Sequence, residues 1–304
     1  SLREARGRAD LLNLLDHPSS VGQLDLRAML TVVDEVTVEN PVYLEKDYTL
    51  DEGWLPQLRK ALLEQDELTV DLGDGVVLGN RNKSVGAQLA IDIERMLNHE
   101  LSEEKPAVLR DERGRGYLRE GSVRISTSGS AGLSFGAFCN DGMAITHTGT
   151  CNDGVGKGAC GGSIVVRSPG GGSTKPGGNV LIGNFALFGA TGGRTFVEGQ
   201  AGDRFAVRNS GATAVVEGVG DFACEYMTGG AVLNLGGFGK GVGNGMSGGF
   251  FYQYDPEGKL PGKASADSIL LGSITGDDEH ALLHRQAVRQ LLEWHAEATG
   301  SARA

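Results

Sequence analysis

The chain has 304 residues, a formal net charge of −11 with a pI near 5.1, and 49 glycines. That length can bury a sizeable core, while the negative balance argues against nucleic acid or an anionic membrane as partner, since their phosphates would be repelled. No run of about 18 apolar residues and no signal peptide is visible, so no membrane partner and a cytoplasmic setting are expected.

Residues 1–120 read as a mixed α/β flanking segment. Leu55, Leu58 and Leu62 form a helical stripe, LTVDL (68–72) reads as a strand, and Ser84 can N-cap a helix with Val85, Leu89, Ile93 and Met96 on one face. The charged stretch SEEKPAVLRDERGRG (102–116), with its Pro and Gly, reads as a linker or exposed loop.

From residue 121 to 260 the composition changes. This stretch holds 36 of the glycines and all ten phenylalanines. A Gly-rich corner precedes a short β-branched strand in CGG-SIVVR, TGG-RTFVE, SGA-TAVVE, TGG-AVLNL and SGG-FFYQY. Aligned on Gly142, Gly162, Gly193, Ala212, Gly230 and Gly249, the steps are 20, 31, 19, 18 and 19 residues, and the long one contains the loop-like insertion SPGGGSTKPGG (168–178). A fixed period of that size means one unit stacked on copies of itself. Helices cannot fill the unit, because each glycine costs a helix about 1 kcal/mol relative to Ala. Strands can: at about 3.3 Å per residue, one period makes a circuit of a three-sided coil, and successive circuits stack about 4.8 Å apart through parallel hydrogen bonds. The expected fold is therefore mainly β, a single-stranded β-helix of six to seven turns, with Gly142, Gly162, Gly193, Gly211, Gly230 and Gly249 as structural corners. Residues 261–304 read as a helical cap: Asp277 can cap a helix with Leu283, Ala287, Leu291, Trp294 and Ala298 on one face, ended by Gly300.

Candidate chemistry is sparse. GKGACG (156–161) satisfies GxGxxG but precedes a strand, where a dinucleotide site needs a helix, and GGGSTK (170–175) has the wrong order for a phosphate loop. Cys139, Cys151, Cys160 and Cys224 contain no CxxC pair and read as small buried thiols, so no metal or cluster is assigned to this chain. His280 and His284 lie four apart but lack a third ligand, and His147 reads as structural. Arg204, Arg208, Glu217 and Glu225 are candidate inter-rung or interface charges, because 17 to 21 residues brackets one circuit. The sharper alternative makes a catalytic carboxylate pair of the acids, as in a β-helical polysaccharide lyase or hydrolase. Both tryptophans, Trp54 and Trp294, lie outside the repeats, so a sugar-stacking platform is poorly supplied.

The segments GSAGLSFGAF (129–138), CNDGVGKGACGGSIVV (151–166), NVLIGNFALFGATGG (179–193), AGDRFAVRNSGATAVVEGVGDFACEYMTGG (201–230) and GNGMSGGFFYQYD (243–255) closely resemble the C-terminal GXGXG domain of the glutamate synthase large subunit. RGRADLL (6–12), LDLRAML (24–30), NRNKSVGAQLA (80–90) and the last 17 residues are similar to its borders, and residues 31–79 match least. The resemblance implies a right-handed β-helix that serves as a non-catalytic scaffold, holding an amidotransferase domain and a flavin synthase domain in place. FMN and an iron–sulfur cluster would belong to those other domains, a reductase subunit is a further expected partner, and this chain would bind no cofactor. No catalytic residue is carried over. The opening Ser hints at an excised piece of a longer protein, and a stand-alone GXGXG subunit of a glutamate-synthase-like or formylmethanofuran-dehydrogenase-like complex is the alternative.

Overall fold

The computed structural model describes residues 4, 7–13, 25, 27–32, 49–64, 69–101, 105–106, 108–170, 178–265 and 267–304. Residues 171–177, most of the predicted insertion, and 33–48, part of the least matched region, lie outside the described residues. The chain divides into two units, Ser1–Lys46 and Asp47–Ala304. In the first, two short 3₁₀ turns at Ala9–Leu11 and Arg27–Leu30 carry local ion pairs, Arg8 with Asp10 and Arg27 with Asp25.

The second unit is a parallel β-solenoid. Strands β1 (Val70–Leu78), β4 (Val123–Ala131), β5 (Met143–Cys151), β6 (Cys160–Arg167), β8 (Gly192–Val197), β10 (Ser210–Gly218), β11 (Thr228–Gly237) and β12 (Gly248–Gln253) follow one another in one ladder. Register partners repeat the period read from the glycines: Val123 with Met143, Ala144 with Ser163, Ser163 with Arg194, Arg194 with Thr213, Thr213 with Ala231, Ala231 with Phe250. Short strands β7 (Val180–Ile182) and β9 (Gln200–Ala201) continue the end of β5 as a second side. Inward positions such as Ile145, Ile164, Ala214 and Val232 are buried and form the core with Phe135, Phe205 and Met143. Five of the predicted corners, Gly142, Gly162, Gly193, Gly230 and Gly249, have φ between 66° and 91°. Gly211 lies one position before the aligned Ala212 and serves by close approach, since a Cβ there would stand 2.2 Å from the Thr191 carbonyl oxygen.

The third side is an unusual backbone. In six successive turns the residues with left-handed φ alternate: Ser134, Gly136 and Phe138; Gly154, Gly156 and Gly158; Phe185, Leu187 and Gly189; Arg204, Ala206 and Arg208; Phe222, Cys224 and Tyr226; Gly241, Gly243 and Gly245. The residues that follow the second and third left-handed positions each close a local turn three residues back, as Lys157 does on Gly154 and Ala159 on Gly156. In the first five turns the left-handed residues bond between rungs at 2.7 to 3.0 Å, the outer two to the rung above and the middle one to the rung below: Arg204 to Asp221, Ala206 to Ala186, Arg208 to Glu225. In the first five turns these donors are thereby satisfied without a strand. Left-handed φ costs a non-glycine residue about 1–2 kcal/mol, so glycine is favoured here. It is required where an aromatic ring lies on the neighbouring rung: a Cβ on Gly154, Gly158, Gly241 or Gly245 would come within 2.5 to 3.0 Å of Phe185, Phe138, Phe222 or Tyr226.

Three sequence expectations about the first 121 residues need correction. The ladder begins before residue 121, because β1 pairs in parallel with β4 from Val70 opposite Val123 to Leu78 opposite Gly129, and Ser84 and Gly86 start its turn with φ of 54° and 89°. Helix α2 (Ala87–Arg95, running into a π-helical turn at Met96–Glu100) replaces the rest of that turn. With Ser84 left-handed, its side chain is not the N-cap. Instead Asp51 of helix α1 (Thr49–Glu64) reaches across and accepts from the N–H groups of Gly86 at 2.9 Å and Gln88 at 2.9 Å. Burial raises the Asp51 pKa against the lowering effect of those bonds. The predicted linker contains a hairpin, β2 (Val108–Arg110) with β3 (Gly116–Leu118), whose turn is held by the Asp111 carboxylate.

The C-terminal helix, α3 (Glu279–Thr299), is capped by Asp278, not Asp277, and ends at left-handed Gly300. It lies along the solenoid's flank and not over an end. Its buried line is Ala281, Leu291, His295 and Thr299, whereas Leu283 and Ala287 of the predicted face are exposed. The cause is a column of outward apolar residues in exact mutual register across five rungs, Val165, Phe196, Val215, Leu233 and Tyr252. Leu291 packs on that column, with Val288, Leu292, Trp294 and Ala298 beside it. The fit is one of length: His284 bonds the Tyr252 hydroxyl and the Ala298 carbonyl accepts from Arg167. Fourteen helical residues rise about 21 Å, and the four rung spacings from β6 to β12 span about 19 Å.

Candidate functional site

Side-chain columns bind the rungs to one another. Asp153 Oδ1 accepts from the N–H of Asn184 at 2.7 Å, Asn184 Oδ1 from Asp203 at 2.9 Å, Asp203 Oδ1 from Asp221 at 2.8 Å, and Asp221 Oδ1 from Lys240 at 3.0 Å. Each upper residue follows a glycine, Gly183, Gly202, Gly220 or Gly239, because a Cβ there would stand 2.1 to 2.4 Å from the oxygen below. The repeated Gly-Asp and Gly-Asn pairs in the sequence are the trace of this column.

Of the charges singled out earlier, Arg204 meets Glu225 across one rung, with its guanidinium 3.0 Å from Oε2. Arg208 stacks over the Tyr226 ring at 5.8 Å. Glu217 does something different. It is buried beneath α3, where Oε1 takes hydrogen bonds from Ser301 Oγ and from His295 Nε2 at 3.3 Å. Desolvation pushes its pKa up, but His295, Ser301 and the nearby Arg303 together hold it below the ordinary glutamate value. Glu217 Oε2 and His295 Nδ1 are buried without partners among the described residues. Glu217 and Glu225 are thus a helix anchor and half of an ion pair, and do not stand as a free carboxylate pair. His295 and Ser301 escaped sequence reasoning, since nothing local marks a helix whose partner lies 78 residues upstream.

His147 is buried in β5, with Nδ1 2.9 Å from Thr127 Oγ1 and Nε2 near the Gly129 and Thr150 carbonyl oxygens at 3.2 and 3.1 Å. Nε2–H therefore donates and Nδ1 accepts, the neutral tautomer, consistent with a pKa lowered by burial. His284 packs against the Phe250 ring at 5.0 Å and bonds Tyr252, and His280 joins no ligand set. Cys139, Cys151 and Cys224 are buried core thiols, the first pushed up to about 12 by desolvation, but Cys160 is exposed, against expectation, because its position on the rung faces outward. The donors do not fit a cluster or a metal: among the described residues no three His, Cys, Asp or Glu converge. Nor do they fit a flavin phosphate at GKGACG, where Gly156, Gly158 and Gly161 already donate to Phe135, Phe188 and Cys139 carbonyls.

A surface groove of about 610 Å³ lies between α2 and the start of the turn wall. Ala90 and Ile91 of α2, Phe138, Asn140 and Cys160 of the solenoid, and Arg115 of the hairpin line it. Arg115 is fixed by Glu94 at 2.8 Å and Asp141 at 3.2 Å.

Parallel rungs, a turn wall of alternating hand and a helix laid along the flank define a single-stranded β-solenoid with GxGxG turns. The chain belongs to the GXGXG motif family, which it matches over residues 55–304. It is 36% identical over 306 residues to a glutamate synthase [NADH] of Schizosaccharomyces pombe, covering 99% of this chain and 13% of that protein. It is 36% identical over 307 residues to the glutamate synthase [NADPH] large chain of Bacillus subtilis, covering 99% and 19%. A ferredoxin-dependent glutamate synthase 2 of Synechocystis is 37% identical over 303 residues, covering 99% and 18%. The chain thus spans less than a fifth of the length of these relatives. Among the described residues no helix is long and apolar enough to cross a membrane.

Proposed function

We propose that this chain is the architectural domain of a glutamate synthase, holding an amidotransferase part and a flavin synthase part at fixed separation. The observation that carries the reading is the coincidence of full coverage of this chain with a small share of three glutamate synthases of differing electron donors. Whatever the donor, this segment is kept. The physical role is stiffness: cross-rung bonds on every side and a helix spanning five rungs resist shear, and transfer between two sites needs their spacing preserved. FMN and an iron–sulfur cluster, with a reductase where one is used, would then be held by parts of the enzyme other than these residues.

The test has two arms. The purified chain should show neither glutaminase activity nor 2-oxoglutarate reduction. In the parent enzyme, removing residues 47–304 should abolish glutamine-dependent glutamate formation. Either activity in the chain alone, or an undiminished parent, overturns the reading.

A further inference from the structure

We propose that one edge of the turn wall is a docking ledge for an acidic, proline-containing segment of a partner protein, held in the polyproline II conformation. The inference goes beyond the architectural reading and does not depend on it, since the ledge belongs to this chain whatever else the chain holds in place.

The ledge is an alternation. On five consecutive rungs, at one of two adjoining wall positions, stand Phe138, Lys157, Phe188, Arg208 and Tyr226, a ring and a cation by turns. Backbone bonds from Phe138 to Lys157, Gly158 to Phe188, Gly189 to Val207 and Arg208 to Glu225 fix their stacking. All five are exposed, the three aromatic residues at 47%, 36% and 49%. Phe138 and Tyr226 also cover Gly158 and Gly245 of the next rung, which seats them against the wall and still leaves them open to solvent.

Charge narrows the partner. Arg124, Arg194 and Arg204 of the solenoid are closed by Asp71, Glu120 and Glu225, whereas Lys157 and Arg208 meet no carboxylate among the described residues. Each lies over the ring of the next rung instead, at 6.0 and 5.8 Å. The wall's own acids are engaged elsewhere. Asp153, Asp203 and Asp221 occupy the opposite edge, where each accepts from an N–H of the next rung and Lys240 completes the column. Glu225, its side chain 14% exposed, lies between Arg204 and Asn244. Beyond the ledge, Thr191, Ser210 and Thr228 are exposed and uncharged. At the Phe138 end the groove adds His99 and two arginines, Arg95 and Arg115, that carboxylates already close. The two open cations are therefore matched by acid from outside.

Spacing selects the backbone. Like groups recur every two rungs, about 9.6 Å. Polyproline II returns to the same face every three residues, about 9.3 Å, and drifts by only about 0.6 Å over the four rung spacings. An α-helix, at about 5.4 Å per turn, drifts by about 2.4 Å over the same length, and a strand repeats a face about every 6.7 Å. Prolines in this conformation dock on aromatic surfaces, and an acid one or two places after each proline lies alongside the long Lys157 and Arg208 side chains.

The test is fluorescence anisotropy of labelled (Glu-Pro-Pro)5 titrated with the full chain. The peptide should bind saturably and at least tenfold more tightly than (Glu-Gly-Gly)5, which keeps the acids without the preformed helix. It should exceed (Glu-Pro)7, whose acids turn to every face, by a similar factor, and (Lys-Pro-Pro)5 should not bind. Replacing both cations, Lys157→Gln with Arg208→Gln, should weaken binding at least tenfold with the urea midpoint unchanged, and Arg289→Gln on α3 should leave it as it was. Absence of saturable binding to the unaltered chain overturns the proposal. So does equal affinity for (Glu-Gly-Gly)5, (Glu-Pro)7 or (Lys-Pro-Pro)5, or binding that survives the double substitution in a folded chain. Tighter binding of a fifteen-nucleotide oligo-dT overturns it in favour of a nucleic acid. None of these failures touches the architectural reading, which stands or falls on its own two assays.

Discussion

Replacing Gly220 by Ala tests whether the Asp and Asn column ties the rungs together. A Cβ at this position would stand 2.1 Å from Asp203 Oδ1 and 3.0 Å from Asp203 N, and φ is not left-handed, so the substitution meets a neighbour and not its own backbone. Atoms in good contact sit about 3.5–4.0 Å apart. Asp203 must therefore swing away, and the N–H of Asp221 loses its 2.8 Å bond to the carboxylate. A hydrogen bond to an ionised group is worth about 1.5–3 kcal/mol. The narrower unfolded ensemble of Ala returns about 0.4–1 kcal/mol. The net expectation is a loss of about 1–2 kcal/mol, read as a lower urea midpoint with an unchanged m value. Asp203→Ala removes the same bond by another route, so the double variant should cost about as much as either single one. Gly262→Ala, where nothing lies within 4 Å, is the control and should be nearly neutral. A neutral Gly220→Ala, or single effects that simply add, would refute the reasoning.

Acid should release α3. The depressed Glu217 pKa means its contribution is complete above the unfolded-state glutamate value and disappears as pH falls through the folded one. Trp294 fluorescence in a Trp54→Phe background should change over that acid range, and Glu217→Gln should flatten the change; release on the alkaline side would contradict the assignment. His147 acts with the same sign nearer neutrality, its lowered pKa making stability fall as pH drops below the ordinary histidine value, a slope that His147→Gln should remove from urea midpoints. Ser134→Gly relieves a left-handed φ of 61° and should raise stability by about 0.5–1 kcal/mol in the same urea assay; a loss would show that the side chain has an unrecognised partner.

The stacking period was readable from glycine alone, because both the corners and the close inter-rung approaches exclude a Cβ and so leave the same mark each circuit. Gly162, Gly193, Gly230 and Gly249 stand where the spacing puts them. The first rung was harder to see, since helix α2 and the β2–β3 hairpin separate β1 from its neighbour by far more than one period. The flank position of α3 had a signal that went unused: SIVVR, RTFVE, TAVVE and AVLNL are apolar at successive positions, the mark of strands covered on both faces. VRIST and MAITH, which alternate, are not so covered. The groove left almost no mark, for its lining comes from a helix, a hairpin and two separate rungs.

The alternating up-and-down donors of the turn wall have an evolutionary corollary. Removing one residue inside a tier would turn its donors toward the wrong neighbour, whereas removing 18 or 19 exchanges one tier for the next with every bond restored. Length in such a molecule is quantised. Variation should come as whole tiers or as excursions at corners, where a loop can leave and re-enter without disturbing the count.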